Sequence, residues 1–149
     1  MTTAPPYKGA LPQPTPESKP YWDGLKQHKL MLPKCKKCGP FFYPRPFCPT
    51  CFSWDIEWAQ MSGKGKIYTF VINFRPPPAL GDKPLILAVV ELAEGPRMMT
   101  NIVGIDPDPA KLWCEMPVEV TYHDVTPEFT FPKFKPSNPS QPRPIPLYN

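Results

Sequence analysis

Four of the chain's 5 cysteines fall in two pairs, Cys35-Lys36-Lys37-Cys38-Gly39 and Cys48-Pro49-Thr50-Cys51. Two residues between cysteines allow one tight turn to aim both thiolates at a single ion. Gly39 can adopt the positive φ such a turn often needs, and Pro49 preorganises the second turn. The nine residues between the pairs are enough for a short hairpin that gathers four sulfurs into a tetrahedron. Four thiolates with no open position describe a closed, structural Zn²⁺ site with bonds of about 2.3 Å. Two pairs so close together fit a metal better than a disulfide or a redox pair, although tetrahedral sulfur geometry also admits iron. Zinc held by four thiolates is net negative, and Lys34, Lys36, Lys37 and Arg45 can offset that charge. Phe41, Phe42, Tyr43 and Phe47 are expected to screen the cluster from water.

Outside this segment, proline shapes the expectation. The chain has 26 prolines, and they are densest at the ends, at positions 5, 6, 12, 14, 16 and 20 and again at 132, 136, 139, 142, 144 and 146. Proline fixes φ and removes a backbone donor, so both ends read as extended, polyproline-like arms. Residues 17–30 suggest a short helix, with Ser18 as a cap, Pro20 in the first turn and Gly24 as a weak point. Ile56 and Trp58 alternate with polar neighbours, and Ser62-Gly63-Lys64-Gly65 reads as a turn. Lys66–Phe74, Leu85–Leu92, Arg97–Val103 and Val118–Val125 read as further strands, with a short helical turn at Pro109–Leu112. The predicted architecture is mainly β. A Pro-rich arm (1–20) precedes a short helix and zinc ribbon (21–55); a five-stranded OB-fold barrel (56–131) and a Pro-rich C-terminal arm (132–149) follow.

No hydrophobic run approaches the roughly 18 residues that span a bilayer. The first residues hold no apolar signal core, and the paired cysteines suit a reducing compartment, so the expected location is the cytoplasm. The net charge of +4 is mild, with no acidic residue after Glu128. Catalytic residues are sparse. Cys114 is expected to be a small buried core residue, since a nucleophile needs a base and the chain offers only His28, in the N-terminal helix, and His123, near a strand end. Gly63-Lys64-Gly65-Lys66 is a hairpin turn with only weak anion-binding character. One alternative function is single-stranded nucleic-acid binding, since barrels and ribbons both serve it and Tyr68, Phe70 and Phe74 could form a stacking face. Glu91, Glu94, Glu115 and Glu119 argue against a dominant phosphate footprint, so nucleic acid is not the expected partner.

The order of motifs resembles one family. They are the Tyr21-Trp22-Asp23-Gly24-Leu25 helix, the two cysteine pairs enclosing Tyr43-Pro44-Arg45, and Ser62-Gly63-Lys64-Gly65 before Ile67-Tyr68. Val90-Glu91-Leu92, Glu94-Gly95-Pro96-Arg97, Asn101 and Met116-Pro117-Val118-Glu119-Val120 follow in the same order. The chain is similar, over about residues 20–135, to the acyl-CoA-associated family with a rubredoxin-like zinc ribbon and a C-terminal OB-fold. That resemblance implies a non-catalytic subunit accompanying a thiolase-like catalytic chain, as in thiolases that cleave benzoylsuccinyl-CoA in aromatic degradation. It implies retro-Claisen cleavage of a 3-oxoacyl-CoA by the partner within a hetero-oligomer. Coenzyme A or acyl-CoA would then be a ligand of the complex. Lys64, Lys66, Arg75 and Arg97 are the candidates for its phosphates and Phe74 for its adenine or pantetheine. No residue of this chain is expected to be catalytic. The long Pro-rich arms, Pro40 after Gly39 and Trp113-Cys114 depart from the family pattern.

Overall fold

Alternation of buried and half-buried residues organises the larger part of the molecule. In the computed structural model, which describes residues 7–141, strand Leu85–Leu92 alternates strictly between half-buried and buried positions. Side chains on a pleated strand point to opposite faces, so Ile86, Ala88, Val90 and Leu92 form one inward row. The elements in chain order are helix α1 (Lys19–Lys26), β1 (Met31–Cys35), β2 (Ile56–Gln60), β3 (Lys64–Asn73), β4 (Leu85–Leu92), β5 (Arg97–Ile102), β6 (Pro117–Asp124) and β7 (Thr130–Pro136). A short 3₁₀ turn at Pro78–Leu80 interrupts the long connection between β3 and β4. β1 and β2 pair as an antiparallel hairpin. The other five strands close a barrel in the order β3-β4-β5-β7-β6, sealed where Lys64–Lys66 meets Pro117–Glu119.

The mainly β architecture and the five-stranded barrel agree with the sequence expectation, but membership differs. Ile56–Gln60 belongs to the ribbon hairpin, and the fifth barrel strand is β7, which runs past residue 131 into the expected arm. β7 tolerates its prolines because of where they fall. Phe134 accepts a bond from Val103 N–H at 2.8 Å, so residues of its parity turn their backbone groups toward β5. Pro132 and Pro136 share that parity. On that side β7 makes a single parallel bridge, Ile102 to Phe134, while its other edge forms a full antiparallel ladder with β6. The missing donors therefore cost the ladder nothing.

Ile67, Val90, Val118 and Phe134 are completely buried at the barrel's centre. Leu25, Leu30 and Leu32, from α1 and the start of the ribbon, belong to the same cluster. The helix is shorter than expected. Ser18 Oγ does not cap it but bonds backward, accepting from Thr15 N–H at 2.9 Å. Pro20 does occupy the first turn. Gly24 is buried, and a Cβ there would lie 2.5 Å from Met31 Cγ and 3.0 Å from Lys29 O. Its place in the helix reflects close approach of the chain that follows. The expected helical turn at Pro109–Leu112 is a single hydrogen-bonded turn, Lys111 N–H bonding Asp108 O at 3.0 Å. No helix among the described residues is long and apolar enough to cross a membrane.

Candidate metal centre and surrounding surface

The two cysteine pairs sit on two similar turns. In the first, Gly39 N–H bonds Cys35 O at 3.0 Å; in the second, Phe52 N–H bonds Cys48 O at 3.0 Å. The residue after each pair takes positive φ, Gly39 at 96° and Phe52 at 59°. Glycine meets that demand freely; phenylalanine does so against steric strain. Backbone N–H groups point at sulfur from within each turn, Cys38 to Cys35 Sγ and Thr50 to Cys48 Sγ, both at 3.4 Å. These donors favour thiolate over thiol. Cys35 is held below its ordinary range chiefly by the Cys38 N–H. The Cys48 thiol falls to about 6, chiefly through the Cys51 N–H with Thr50 assisting. Cys38 is pushed up, mainly by its contact with Cys51.

The four sulfurs lie within 4.8 Å of one another, with Cys35–Cys51 at 3.5 Å and Cys38–Cys48 at 3.4 Å. A tetrahedron with bonds of about 2.3 Å has edges near 3.8 Å, so the donor set fits a zinc-sized ion. Cys35, Cys38, Cys48 and Cys51 are the residues that would hold it, and the ion would supply structure rather than an open coordination position.

The surroundings differ from expectation in three respects. Only Phe42 buries itself against the sulfurs, together with Ile56. Phe41 packs on the barrel-side core, Tyr43 is half exposed edge-on to Tyr21, and Phe47 turns toward Phe52 and Trp54. Phe52 and Trp54 are 69% and 71% exposed at the ribbon's tip. Lys36 pairs with Asp55 at 3.3 Å, while Lys34 lies over the Phe41 ring. Cys114 is exposed rather than buried; Leu112, Trp113 and Met116 take the core positions around it. It makes no hydrogen bond or ion pair among the described residues.

The candidate CoA contacts do not form one cluster. Lys64 and Lys66 begin β3, and Arg97 stands nearby across β4. Phe74 and Arg75 follow the far end of β3, roughly 30 Å away at a strand's rise per residue. Lys66 reaches Glu115 at 2.6 Å and Glu91 at 3.6 Å; Arg97 bonds Glu91 at 2.7 Å and lies over the Tyr68 ring. Arg97 holds the Glu91 carboxyl below the usual range, and Glu115 raises Lys66. These two cations are already neutralised. Lys64 and Arg75 form no ion pair among the described residues. A β-bulge between Ile67 and Thr69 also breaks the aromatic row: Tyr68 faces solvent, while Phe70 packs inward. The stacking face required for nucleic-acid binding is therefore divided between the two sides of the strand.

Two features escaped the sequence reading. His28 Nε2 lies 3.0 Å from Asp124 Oδ1, and its ring stacks on Tyr122 at 5.0 Å. Residues 28 and 124 are too distant in sequence for any local pattern to join them. The second is an apolar stripe on the outer barrel face, where Val71 adjoins Leu87 and Val89 adjoins Met99 across paired strands. Met99 is 76% exposed. Its alternation was visible in each strand, but the register that joins the rows was not.

Paired cysteine turns on a hairpin, continued directly into a closed five-stranded barrel, define a zinc ribbon joined to an OB-fold. Residues 22–57 match the ChsH2 rubredoxin-like zinc ribbon domain, and residues 58–123 match the ChsH2 C-terminal OB-fold domain. The chain belongs to this ChsH2/DUF35 scaffold family. A DUF35 domain-containing scaffold protein of Pyrococcus furiosus is 38% identical over 98 residues, covering 64% of this chain and 72% of its own length. A probable enoyl-CoA hydratase alpha subunit of Thermomonospora curvata is 35% identical over 122 residues; the match takes in 81% of this chain but only 38% of that protein. The benzoylsuccinyl-CoA thiolase subunit BbsA of Thauera aromatica is 30% identical over 89 residues, 59% of each chain. Among solved structures, the Ltp2-ChsH2(DUF35) aldolase superposes with a TM-score of 0.77 at 32% identity, covering 86% of this chain and 100% of that one.

Proposed function

We propose that this chain is a non-catalytic, zinc-stabilised subunit of a thiolase-type complex that cleaves a 3-oxoacyl-CoA, with bond breaking on a partner chain. The observation that carries the reading is the outer barrel stripe of Val71, Leu87, Val89 and Met99, an apolar surface that a subunit interface would bury. The exposed aromatics Phe52 and Trp54 offer a second anchor at the ribbon tip. The family supports the partner's class, since its relatives include a thiolase subunit, a hydratase subunit and a chain solved with an aldolase. A thiolase needs an activated cysteine, histidines and an oxyanion hole, and solvent-exposed Cys114 stands apart from such a set.

Within the complex, Lys64 is the strongest candidate for a CoA phosphate, since its charge is uncommitted. Arg75 and Phe74 would serve a separate contact at the far end of β3. Lys66 and Arg97 would first have to leave their carboxylates.

Affinity purification of the native chain tests the assignment. A thiolase-like protein should co-elute in fixed ratio, with cleavage of a 3-oxoacyl-CoA only when both chains are present. Met99→Asp should abolish co-elution while leaving the isolated chain folded. A lone monomer, beside a thiolase fully active without it, would overturn the reading. For the ligand, Lys64→Ala should weaken CoA binding by the complex several-fold; unchanged affinity removes Lys64 from the site.

A further inference from the structure

Pro132 limits how far β5 and β7 pair. Its backbone turns to the same side as that of Phe134, toward β5, and it has no N–H to offer. The parallel contact therefore does not extend from Ile102–Phe134 back toward Met99 and Phe131. Thr100 instead donates its hydroxyl to the Pro132 carbonyl at 3.1 Å. Where the ladder ends, a cleft of about 520 Å³ opens on the outer barrel face, beside α1 and the arm that precedes it.

Five rings in series line this cleft. Tyr7 meets Phe131, Phe131 meets Trp22, Trp22 meets Tyr21 and Tyr21 meets Tyr43, all edge to face, with centroids 5.7, 6.2, 5.1 and 5.8 Å apart. Leu80, Leu85, Leu87 and Met99 supply the remaining apolar surface. The polar groups are of two kinds. Besides Thr100, Asn101 and Asn73 are committed to the walls: Asn101 Nδ2 donates to Ile86 O at 3.3 Å, and Asn73 Oδ1 accepts from Arg75 N–H at 3.0 Å. Lys133 and His123 have no hydrogen-bond or ion-pair partner among the described residues. His123 stands opposite Phe131 in the β6–β7 register and Lys133 opposite Thr121. The two are thus diagonal neighbours on one face, roughly 7–8 Å apart.

The charge around this pair is one-sided. No Asp or Glu among the described residues lines the cleft. Asp124, which follows His123, is engaged by Thr130 and His28. Burial lowers the Lys133 ammonium; burial and then Lys133 lower His123. His123 is therefore neutral at pH 7 and offers an N–H beside a single cation. A partly buried charge without a counterion is costly, and an anion would relieve it.

We propose that this cleft binds a small apolar monocarboxylate carrying one or two rings, with the rings against the aromatic wall and the carboxylate between Lys133 and His123. Apolar walls with a few convergent polar groups are the usual form of a small-molecule site. One cation and one neutral donor match a single carboxylate rather than a diphosphate. The site is separate from Lys64 and independent of the thiolase reading.

Calorimetric titration of the full-length, zinc-loaded chain at pH 7 with 2-naphthoate and its uncharged isostere 2-naphthamide tests the proposal. One naphthoate should bind per chain, and the amide at least about tenfold more weakly. Lys133→Met should lose the preference for the acid while binding the amide as the parent does, which also shows that the variant is folded. Phe131→Ala should weaken both probes, and Lys64→Ala neither. Absence of saturable naphthoate binding, an amide bound as tightly as the acid, or undiminished naphthoate binding by Lys133→Met would overturn the proposal. So would displacement of naphthoate by equimolar coenzyme A, which would make the cleft part of a thioester site.

Discussion

Asp124 receives hydrogen bonds from two directions, Thr130 Oγ1 at 2.6 Å and His28 Nε2 at 3.0 Å. It joins the turn after α1 to the β6–β7 hairpin. These partners, Thr130 first, hold its carboxyl below the usual range. A carboxyl depressed in the folded state contributes stability above its unfolded value near 3.9, and that contribution is lost as pH falls through the lower, folded value. Asp124→Asn should lower the melting temperature at pH 7, and the gap from the parent chain should narrow below about pH 4. Melting curves at both pH values check this; a constant gap would remove the carboxylate's charge from the account. Cys114 gives a second residue-scale test. With metal bound, a thiol reagent should modify Cys114 rapidly and leave the other four protected; all 5 cysteines should react after chelation. Two fast thiols in the metal-loaded protein would contradict the ribbon geometry.

At the scale of elements, local preference and tertiary contact oppose each other twice. Alanine has the better helix propensity, by about 1 kcal/mol. Gly24→Ala should nevertheless destabilise by about 1–2 kcal/mol in thermal unfolding, because its new methyl meets Met31 and the Lys29 carbonyl. Phe52 presents the opposite case, a bulky exposed residue at φ 59°. Phe52→Gly should stabilise the isolated chain by about 1 kcal/mol, measured the same way, while Phe52→Ala should bring no such gain.

The same opposition explains what the sequence revealed. The metal ligands were legible because cysteine spacing states its own geometry, and Gly39 marked the first turn. The inward row of β4 was legible because its alternation is unbroken. β7 was hidden because proline counts say nothing about which edge of a strand the prolines occupy. The bulge was hidden because Tyr68 and Phe70 share a period-2 pattern that one extra residue cancels. Cys114 was misplaced because it stands among residues that are core, Leu112, Trp113 and Met116, whereas the chain turns sharply at Glu115, φ 72°, and leaves the cysteine outside. The CoA candidates were chosen by charge, and their carboxylate partners become neighbours only through folding.

On the scale of the whole molecule, burial divides into two unequal clusters. The larger unites barrel, helix and the base of the ribbon; the smaller contains Cys35, Cys48 and Phe42, with Cys51 and Ile56 packed on it. Cys38→Ser should therefore lose the ion, read by elemental analysis, and disorder the ribbon tip while the barrel still unfolds cooperatively. Complete unfolding of the variant would show that the two clusters are one cooperative unit.

That division has a consequence for a cell short of zinc. Ribosomes would continue to make a chain whose barrel is sound and whose outer stripe is intact, but whose Phe52 and Trp54 no longer hold fixed positions. In the proposed complex, such a chain would still compete for one half of the assembly surface while failing at the other, so scarcity of the ion would poison assembly rather than merely thin its supply.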